Sequence, residues 1–574
     1  MASIINGGSG SSSSRRRASK LIFSAIPFSC LLLLLFFFFF FFSSSSTRKP
    51  FSTTTPHLHL HHHSHFETLN TAKAHCQGTL YPDLCVSSLS SIPNLASKTI
   101  PQIISSLINR TTSEVHDSSR NCSNFLRRYH LDLRQQFALT DCLELFDDTI
   151  DAFRTVLSDL RINASSHKDD IESFLSSAIA NQFTCLDGFS HVLDGGLRPK
   201  IERKLRHISH LVSNSLAMVR RISKRKKRRE ALEGYGRVVR GFPEWIKSGD
   251  RKLLQSAGNT TNANIVVAKD GTGNFTTIGE AIAAAPHKSK TRFIIYIKAG
   301  AYFENVEVNK SKTNLMFIGD GIGKTVIKAN RSFAQNFTTF RSATLAVSGA
   351  GFLAKGITVE NSAGYENHQA VAMRSSSDLS AYYLCSFVGY QDTLYVHTLR
   401  QFYRECDVYG TVDFIFGDAS VVFEFCNLYA RKPGPQQKNM FTAQARNDPN
   451  ENTGIVLHKC KIAAAEDLIP VQSSVLSYLG RPWKEYSRTV IIRSYIGSLI
   501  DPAGWSEWNG TFALSTLYYA ECENRGPGSN TTNRVKWPGY RVINSTEASQ
   551  FSVANFIEGG EWLGATTFPF MLGL

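Results

Sequence analysis

The chain has 574 residues, 42% of them hydrophobic and 19% charged, which is length for about three to four ordinary domains and too apolar a composition for disorder by default. A net charge of +16 would suit a nucleic-acid binder, but residues 255–574 hold 29 Lys+Arg against 26 Asp+Glu, a net of +3, leaving +13 on residues 1–254. Much of that excess lies in Arg220, Arg221, Lys224, Arg225, Lys226, Lys227, Arg228 and Arg229, and beside an N-terminal apolar run in Arg15, Arg16, Arg17, Lys20, Arg48 and Lys49; no broad phosphate-binding face remains, and no nucleic-acid partner is expected.

The apolar run, Leu21 to Phe42, is 22 residues long and follows Arg15-Arg16-Arg17. That length spans a bilayer and exceeds an ordinary signal h-region, so residues 1–65 read as a signal or signal anchor plus linker, with the remainder exported and transient membrane anchoring expected before processing. A buried core helix is the poorer reading, because seven consecutive Phe residues give no polar face. Export agrees with the N-x-S/T sequons at Asn109, Asn163, Asn259, Asn274, Asn330, Asn336, Asn509, Asn530 and Asn544 and with eleven cysteines, one of them Cys30 inside the apolar run. The His57–His65 tract could be a metal tail, but its Ser/Thr/Pro-rich surroundings favour a solvated linker.

Residues 66–219 lack strand-like alternation. Apolar side chains fall at helical spacing in Asp141–Ile150 and Ile171–Ala180, and few glycines interrupt, so an all-α helical bundle is the economical fold. No catalytic constellation stands out in it. Residues 220–263 form a basic linker: an exported chain never presents Arg220–Arg229 to the nucleus, which leaves a surface charge run or a protease-accessible hinge, and Arg251-Lys252-Leu253-Leu254 is a second processing candidate.

From residue 264 to the end the texture is β-rich, with short apolar runs such as Phe293–Ile297 and Gly356–Asn361 between polar and glycine turns. Cys385, Cys406 and Cys426 begin similar runs at spacings of 21 and 20. A repeat near twenty residues with one apolar strand each marks a solenoid, and a parallel β-helix fits better than a sandwich. The same period orders polar residues: Gln369 precedes Gln391 by 22, and Asp392 precedes Asp413 by 21. One coil apart in a β-helix is about 4.8 Å, so the two aspartates should share one face with both glutamines near. Two carboxyls that close retain a proton between them and supply an acid and a nucleophile or base from one residue type. Glutamine amides suit a developing oxyanion, and an arginine such as Arg481 could hold the ionised partner. The competing view is that Asp392 only caps a turn; Asp413, the one charge in an apolar strand, needs a partner in any case.

Gly389–Leu394, Gly410–Gly417, Leu479–Trp483, Gln369–Arg374 and Gly300–Glu304, in that framework, resemble plant pectin methylesterases over about Asn264 to Leu563. The helical part resembles the pectin methylesterase/invertase inhibitor domain through Cys76, Cys85, Asp141-Cys142 and Thr184–Phe189. The resemblance implies an all-β right-handed parallel β-helix preceded by an all-α pro-domain, with hydrolysis of galacturonate methyl esters by a pectinesterase that needs no cofactor and no metal. It implies Asp413 as nucleophile, Asp392 as proton donor and Gln391 as transition-state stabiliser, with Gln369, Arg481, Trp483 and Thr339 binding substrate. It also implies disulfides Cys76–Cys85, Cys142–Cys185 and Cys406–Cys426. The partners it implies are methyl-esterified homogalacturonan in the cell wall, a processing protease at the basic linker and separate inhibitor proteins, and the helical part would silence the enzyme until cleavage. Cys522 stands where the family often has an aromatic, leaving an odd thiol. A pectin lyase or polygalacturonase would share the fold, but the acidic calcium cluster expected of a lyase is not evident; an inert inhibitor or wall-binding protein is the reading from another class.

Overall fold

The computed structural model describes residues 57–190, 196–224 and 263–574, with the two-residue antiparallel pair Val238–Val239 and Phe242–Pro243 between them. The apolar run Leu21–Phe42, with Cys30, lies outside these residues, as do the part of the Arg220–Arg229 processing candidate beyond Lys224 and all of the second, Arg251–Leu254. Among the described residues no helix is long and apolar enough to cross a membrane.

Six helices open the described chain: α1 (His57–Cys76), α2 (Pro82–Ser90), α3 (Ile100–Arg128), α4 (Leu133–Asn163), α5 (Lys168–Asp187) and α6 (Leu197–Val219). Helix α4 shows why the chain turns helical here. Asp132 caps it by accepting from the Gln135 amide (2.8 Å) while Gln135 accepts from the Asp132 amide (3.1 Å), a reciprocal capping box. From there Leu139, Cys142, Leu145, Phe146, Ile150, Phe153 and Val156 recur at helical spacing and are buried among Ile104, Leu107, Ile179, Leu205 and Leu216 of the other helices. The disulfides Cys76–Cys85 and Cys142–Cys185 are formed, tying α1 to α2 and α4 to α5.

The rest winds into a right-handed parallel β-helix. Three sheets run its length: sheet 1 has eleven strands, sheet 2 eight and sheet 3 seven, the last running from Val306–Val308 to Ser477–Gly480. A central coil gives Ser380–Tyr383 to sheet 1, Ser386–Val388 to sheet 2 and Leu394–Val396 to sheet 3, and the next coil pairs parallel and in register with each of them. At the corner between sheets 1 and 2 one residue per coil, Leu384, Glu405, Phe425, Lys459, Arg493 and Glu523 among them, has positive φ, the turn that redirects the chain within one residue. Short helical turns from Ser545 to Thr566 cover the outer face of sheet 1.

In-register winding stacks like on like. Tyr382, Tyr403 and Phe423 form a buried ring stack with centroids 4.5 and 4.6 Å apart, and Cys385, Cys406, Cys426 and Cys460 form a second interior column. The cysteine column corrects the expected Cys406–Cys426 bridge, because both are free thiols. Strands in register hold their Cβ atoms parallel at the rung spacing, wider than a disulfide wants. Each thiol instead donates to a carbonyl one rung back, Cys406 to Tyr382 and Cys426 to Tyr403, both at 3.4 Å. Cys522 is no exposed reactive thiol either: it is buried, and burial raises its pKa, which suppresses the thiolate. The His57–His65 tract, expected as a solvated linker, lies in α1.

The asparagines of eight sequons, at 109, 163, 274, 330, 336, 509, 530 and 544, are all exposed. Asn259 is outside the described residues.

Because every ring in the Tyr382–Tyr403–Phe423 stack is fully enclosed, Tyr403→Ala should cost about 3–5 kcal/mol of stability, as large-to-small aromatic core changes do. Denaturant unfolding of residues 255–574 measures this, and a loss under about 1 kcal/mol would show that the stack does not hold the coils together.

Candidate active site

The outer face of sheet 3 carries the site. Along its strands side chains alternate in and out: Leu394 and Val396 enter the core while Tyr395 points out, and Ile415 enters while Phe416 points out. Register then lines up Ala346, Arg374, Tyr395, Phe416 and Ala443 across five rungs as one outward stripe.

Asp392 and Asp413 stand two residues before the paired Leu394 and Ile415, so they too are rung neighbours, and the Asp392 amide donates to the Val412 carbonyl at 3.0 Å. Both take positive φ, 61° and 51°, a conformation that Asp tolerates better than most residues, and both are buried. Arg481, just after the last strand of sheet 3, forks onto one of them: Nε donates to Asp413 Oδ1 at 2.8 Å and Nη2 to Oδ2 at 2.7 Å. Burial alone would pull the Arg481 pKa down, but Asp413 drives it above the ordinary arginine value. Burial, and then repulsion from Asp413, drive Asp392 well above the ordinary carboxyl range, with Arg481 opposing. One carboxyl is thus clamped by a cation and its neighbour is kept protonated.

Arg481 reaches Asp413 because residue 480 is glycine. A Cβ there would lie 2.1 Å from Thr442 Oγ1 and 2.7 Å from the Thr442 carbonyl oxygen, so only glycine lets the two rungs close up.

A cleft of about 390 Å³ opens over the pair and is lined by Gln369, Gln391, Asp392, Asp413, Arg481, Trp483 and Thr339. All seven side chains singled out from the sequence therefore meet in one place. One detail differs: the register offset here is 21, so Ala370, not Gln369, is the rung partner of Gln391, and Gln369 reaches the cleft from the loop before its strand. Sequence reasoning missed the aromatic walls: Tyr395 and Phe416 stacked at 4.2 Å, Phe416 edge-on to Trp483 at 5.8 Å, and Trp508, whose ring lies 4.3 Å from the Arg481 guanidinium. Their signal was the alternation that throws Tyr395 and Phe416 outward; Trp508 had none.

The helical part closes over the same cleft, which Arg134, Thr184, Asp187, Gly188 and Ser190 also line. Thr184 Oγ1 is 2.9 Å from His397 Nε2, Lys484 Nζ donates to Asp187 at 2.6 Å, and Phe137 stacks on Phe337 at 5.0 Å. Arg341 pairs with Asp141 and Glu144 (2.5 and 3.0 Å), and Asp141 also accepts from Thr338. Asp141 is enclosed, and burial raises its pKa to about 6 although Arg341 opposes the shift. Phe340, Tyr395, Phe416 and Ala443 share one apolar cluster with α4 and α5. Arg220, Arg221 and Lys224, at the start of the basic linker, are held as well: Arg220 donates to the Pro449 carbonyl at 2.8 Å, Arg221 to Gln77, and Lys224 pairs with Asp169 at 2.5 Å.

This fold and this site are those of a carboxylic ester hydrolase of the pectinesterase family, to which the chain belongs: the pectinesterase family profile matches residues 264–560, and the plant invertase/pectin methylesterase inhibitor profile matches residues 70–218. The chain is 49% identical over 517 residues to pectinesterase 1 of Citrus sinensis, covering 88% of each, and 51% identical over 486 residues to probable pectinesterase/pectinesterase inhibitor 39 of Arabidopsis thaliana, covering 83% of this chain and 90% of that one. Among solved structures, the pectin methylesterase from carrot is 58% identical with a TM-score of 0.55, covering 55% of this chain and 100% of its own. The share of this chain that it covers is about the length of the β-helix alone.

If Gly480 sets the rung approach, Gly480→Ala should displace Arg481 from Asp413 and cost about 1–3 kcal/mol, as overpacking does. A crystal structure of the variant with the fork intact, or an unchanged unfolding midpoint, would contradict this.

Proposed function

We propose that the β-helix hydrolyses methyl esters of galacturonate units in pectin and that the helical part holds it inactive before processing. The observation that carries the reading is the in-register Asp392–Asp413 pair split by the Arg481 fork, lining a cleft of about 390 Å³. Asp413 is the nucleophile: its carboxylate, aimed by Arg481, attacks the ester carbonyl carbon and the carbonyl oxygen takes up the negative charge. Gln391 and Gln369 offer neutral amide donors for that oxyanion. Asp392 gives its proton to the departing methoxide, so methanol leaves and an acyl-enzyme anhydride remains. Asp392, now a base, takes a proton from water, whose hydroxide attacks the acyl carbon and frees Asp413. Trp483 and the aromatic wall around it give the sugar rings an apolar platform, with Thr339 also lining the cleft.

The autoinhibitory reading rests on Thr184, Asp187 and their neighbours lining the cleft that the substrate needs. A tethered module also acts at high effective concentration, so modest intrinsic affinity suffices. Export through the Leu21–Phe42 segment to the cell wall, and cleavage within residues 220–263, would separate synthesis from activity. Separate inhibitor proteins of the same helical kind would compete for the same face.

Methanol release from esterified pectin tests the chemistry. Asp413→Ala in residues 255–574 should abolish turnover with the fold intact, and Gln391→Ala should lower kcat by about 10²–10³. Wild-type release from a folded Asp413→Ala variant would remove its role, and an effect of Gln391→Ala confined to KM would reassign that side chain to ground-state binding.

Autoinhibition is tested by residues 66–574 with both basic motifs neutralised, set against residues 255–574. The longer chain should be the less active. Equal specific activity would leave the helical part as a folding or sorting aid.

A further inference from the structure

A second cavity, of about 350 Å³, lies in the helical part where α2 and the segment after it face α3. Ser88, Ser91, Asn94, Lys98, Ser106 and Arg110 supply its polar lining, and no carboxylate or aromatic ring lines it. Among the described residues neither Lys98 nor Arg110 forms an ion pair. Arg110 Nη1 donates to Ser91 Oγ at 3.2 Å, and that hydroxyl donates in turn to the Ser88 carbonyl at 2.7 Å, so one cation is oriented on the wall. Ser88 is 1% exposed, and its Oγ has no hydrogen-bond partner. A buried hydroxyl left unbonded on a cavity wall is costly unless an occupant of the cavity bonds it.

That lining selects a ligand by its chemistry. Two unpaired cations with no carboxylate beside them favour an anion, and their hydrogen bonds to an oxyanion are the strong, charge-assisted kind. The serine hydroxyls and the Asn94 amide both donate and accept, which matches the hydroxyl groups of a sugar. Without an aromatic platform the sugar ring itself gains little, so charge and hydroxyls do the recognising: a uronate unit fits, and its neutral methyl ester does not. None of the residues lining the cavity bonds to the β-helix, so the cavity is reachable while the helical part covers the catalytic cleft.

We propose that this cavity is a uronate-binding site, through which the uncut protein is held on de-esterified polymer. The inference rests on the esterase reading, which supplies the ligand: the product is the same polymer with its carboxylates bared. Earlier turnover then recruits further uncut chains, and after cleavage the polymer retains the helical part, away from the β-helix it covered.

The test uses residues 66–574 with both basic motifs neutralised, carrying Asp413→Ala so that no probe is consumed. The probes are unesterified trigalacturonate, its fully methyl-esterified form and inorganic phosphate, each titrated by calorimetry. Trigalacturonate should bind about tenfold more tightly than its ester, the factor set by 1.4 kcal/mol, and more weakly as salt rises. Lys98→Gln combined with Arg110→Gln should lose that preference, and Ser88→Ala, which keeps both charges, should lose about threefold in affinity. Unchanged binding in the double variant overturns the proposal and leaves the esterase reading standing. Unchanged binding in Ser88→Ala assigns the effect to diffuse surface charge and overturns the cavity as the site. Phosphate that binds as tightly as trigalacturonate overturns the uronate as the ligand. No methanol from esterified pectin with residues 255–574 overturns the esterase reading, and this inference with it.

Discussion

The forked ion pair between Arg481 and Asp413 makes two identical side chains chemically unlike. Without it, two aspartates one rung apart would share a proton with no preference between them. With it, the guanidinium is fixed on Asp413, while burial and then repulsion from Asp413 raise the pKa of Asp392 and favour the proton there. The arrangement is a product of backbone geometry more than of local sequence. A parallel β-helix repeats its rungs at about 4.8 Å, which sets two carboxyls one repeat apart side by side. The glycine at 480 lets the next rungs close far enough for the guanidinium to reach.

The same outward stripe on sheet 3 explains how one surface suits both a sugar chain and a helical bundle. Tyr395, Phe416 and Trp483 form an apolar patch flanked by Arg341, Arg374, Arg481 and Lys484. A polyanionic sugar uses ring faces and carboxylates, and α4 and α5 answer with apolar side chains, Asp141, Glu144 and Asp187. The pairs on Glu144 and Asp187 are partly exposed and add little affinity each, on the order of 0–1 kcal/mol, whereas Asp141 is enclosed. The closed form draws its stability mainly from the shared apolar cluster, and the charges set its register. Arg220 and Lys224 anchor the first residues of the linker to the β-helix side.

Much of this was legible in the sequence because a solenoid writes its geometry as a period. The spacing of 21 between Asp392 and Asp413 places both on one face, and the helical repeat of α4 and α5 is plain in their apolar residues. The family resemblance misled at Cys406 and Cys426: the period stacks them one rung apart, and parallel strands point their thiols at carbonyls. The period itself slipped by one at Gln369, which sits in a loop outside the strict repeat. Trp508 and the docking of Asp187 on Lys484 were invisible, because the contacts join segments hundreds of residues apart or in irregular loops, where no local pattern records the partner.

The most direct measurement is the protonation state of the pair. Infrared difference spectra of residues 255–574, titrated with pH, report the carbonyl stretch of a protonated carboxyl. A band should persist well above the ordinary aspartate pKa of about 4, vanish in Asp392→Asn, and move to lower pH in Asp413→Asn, where the repulsion that raises Asp392 is gone. A wild-type protein in which both carboxyls ionise together in the ordinary range would contradict the division of labour on which the mechanism depends.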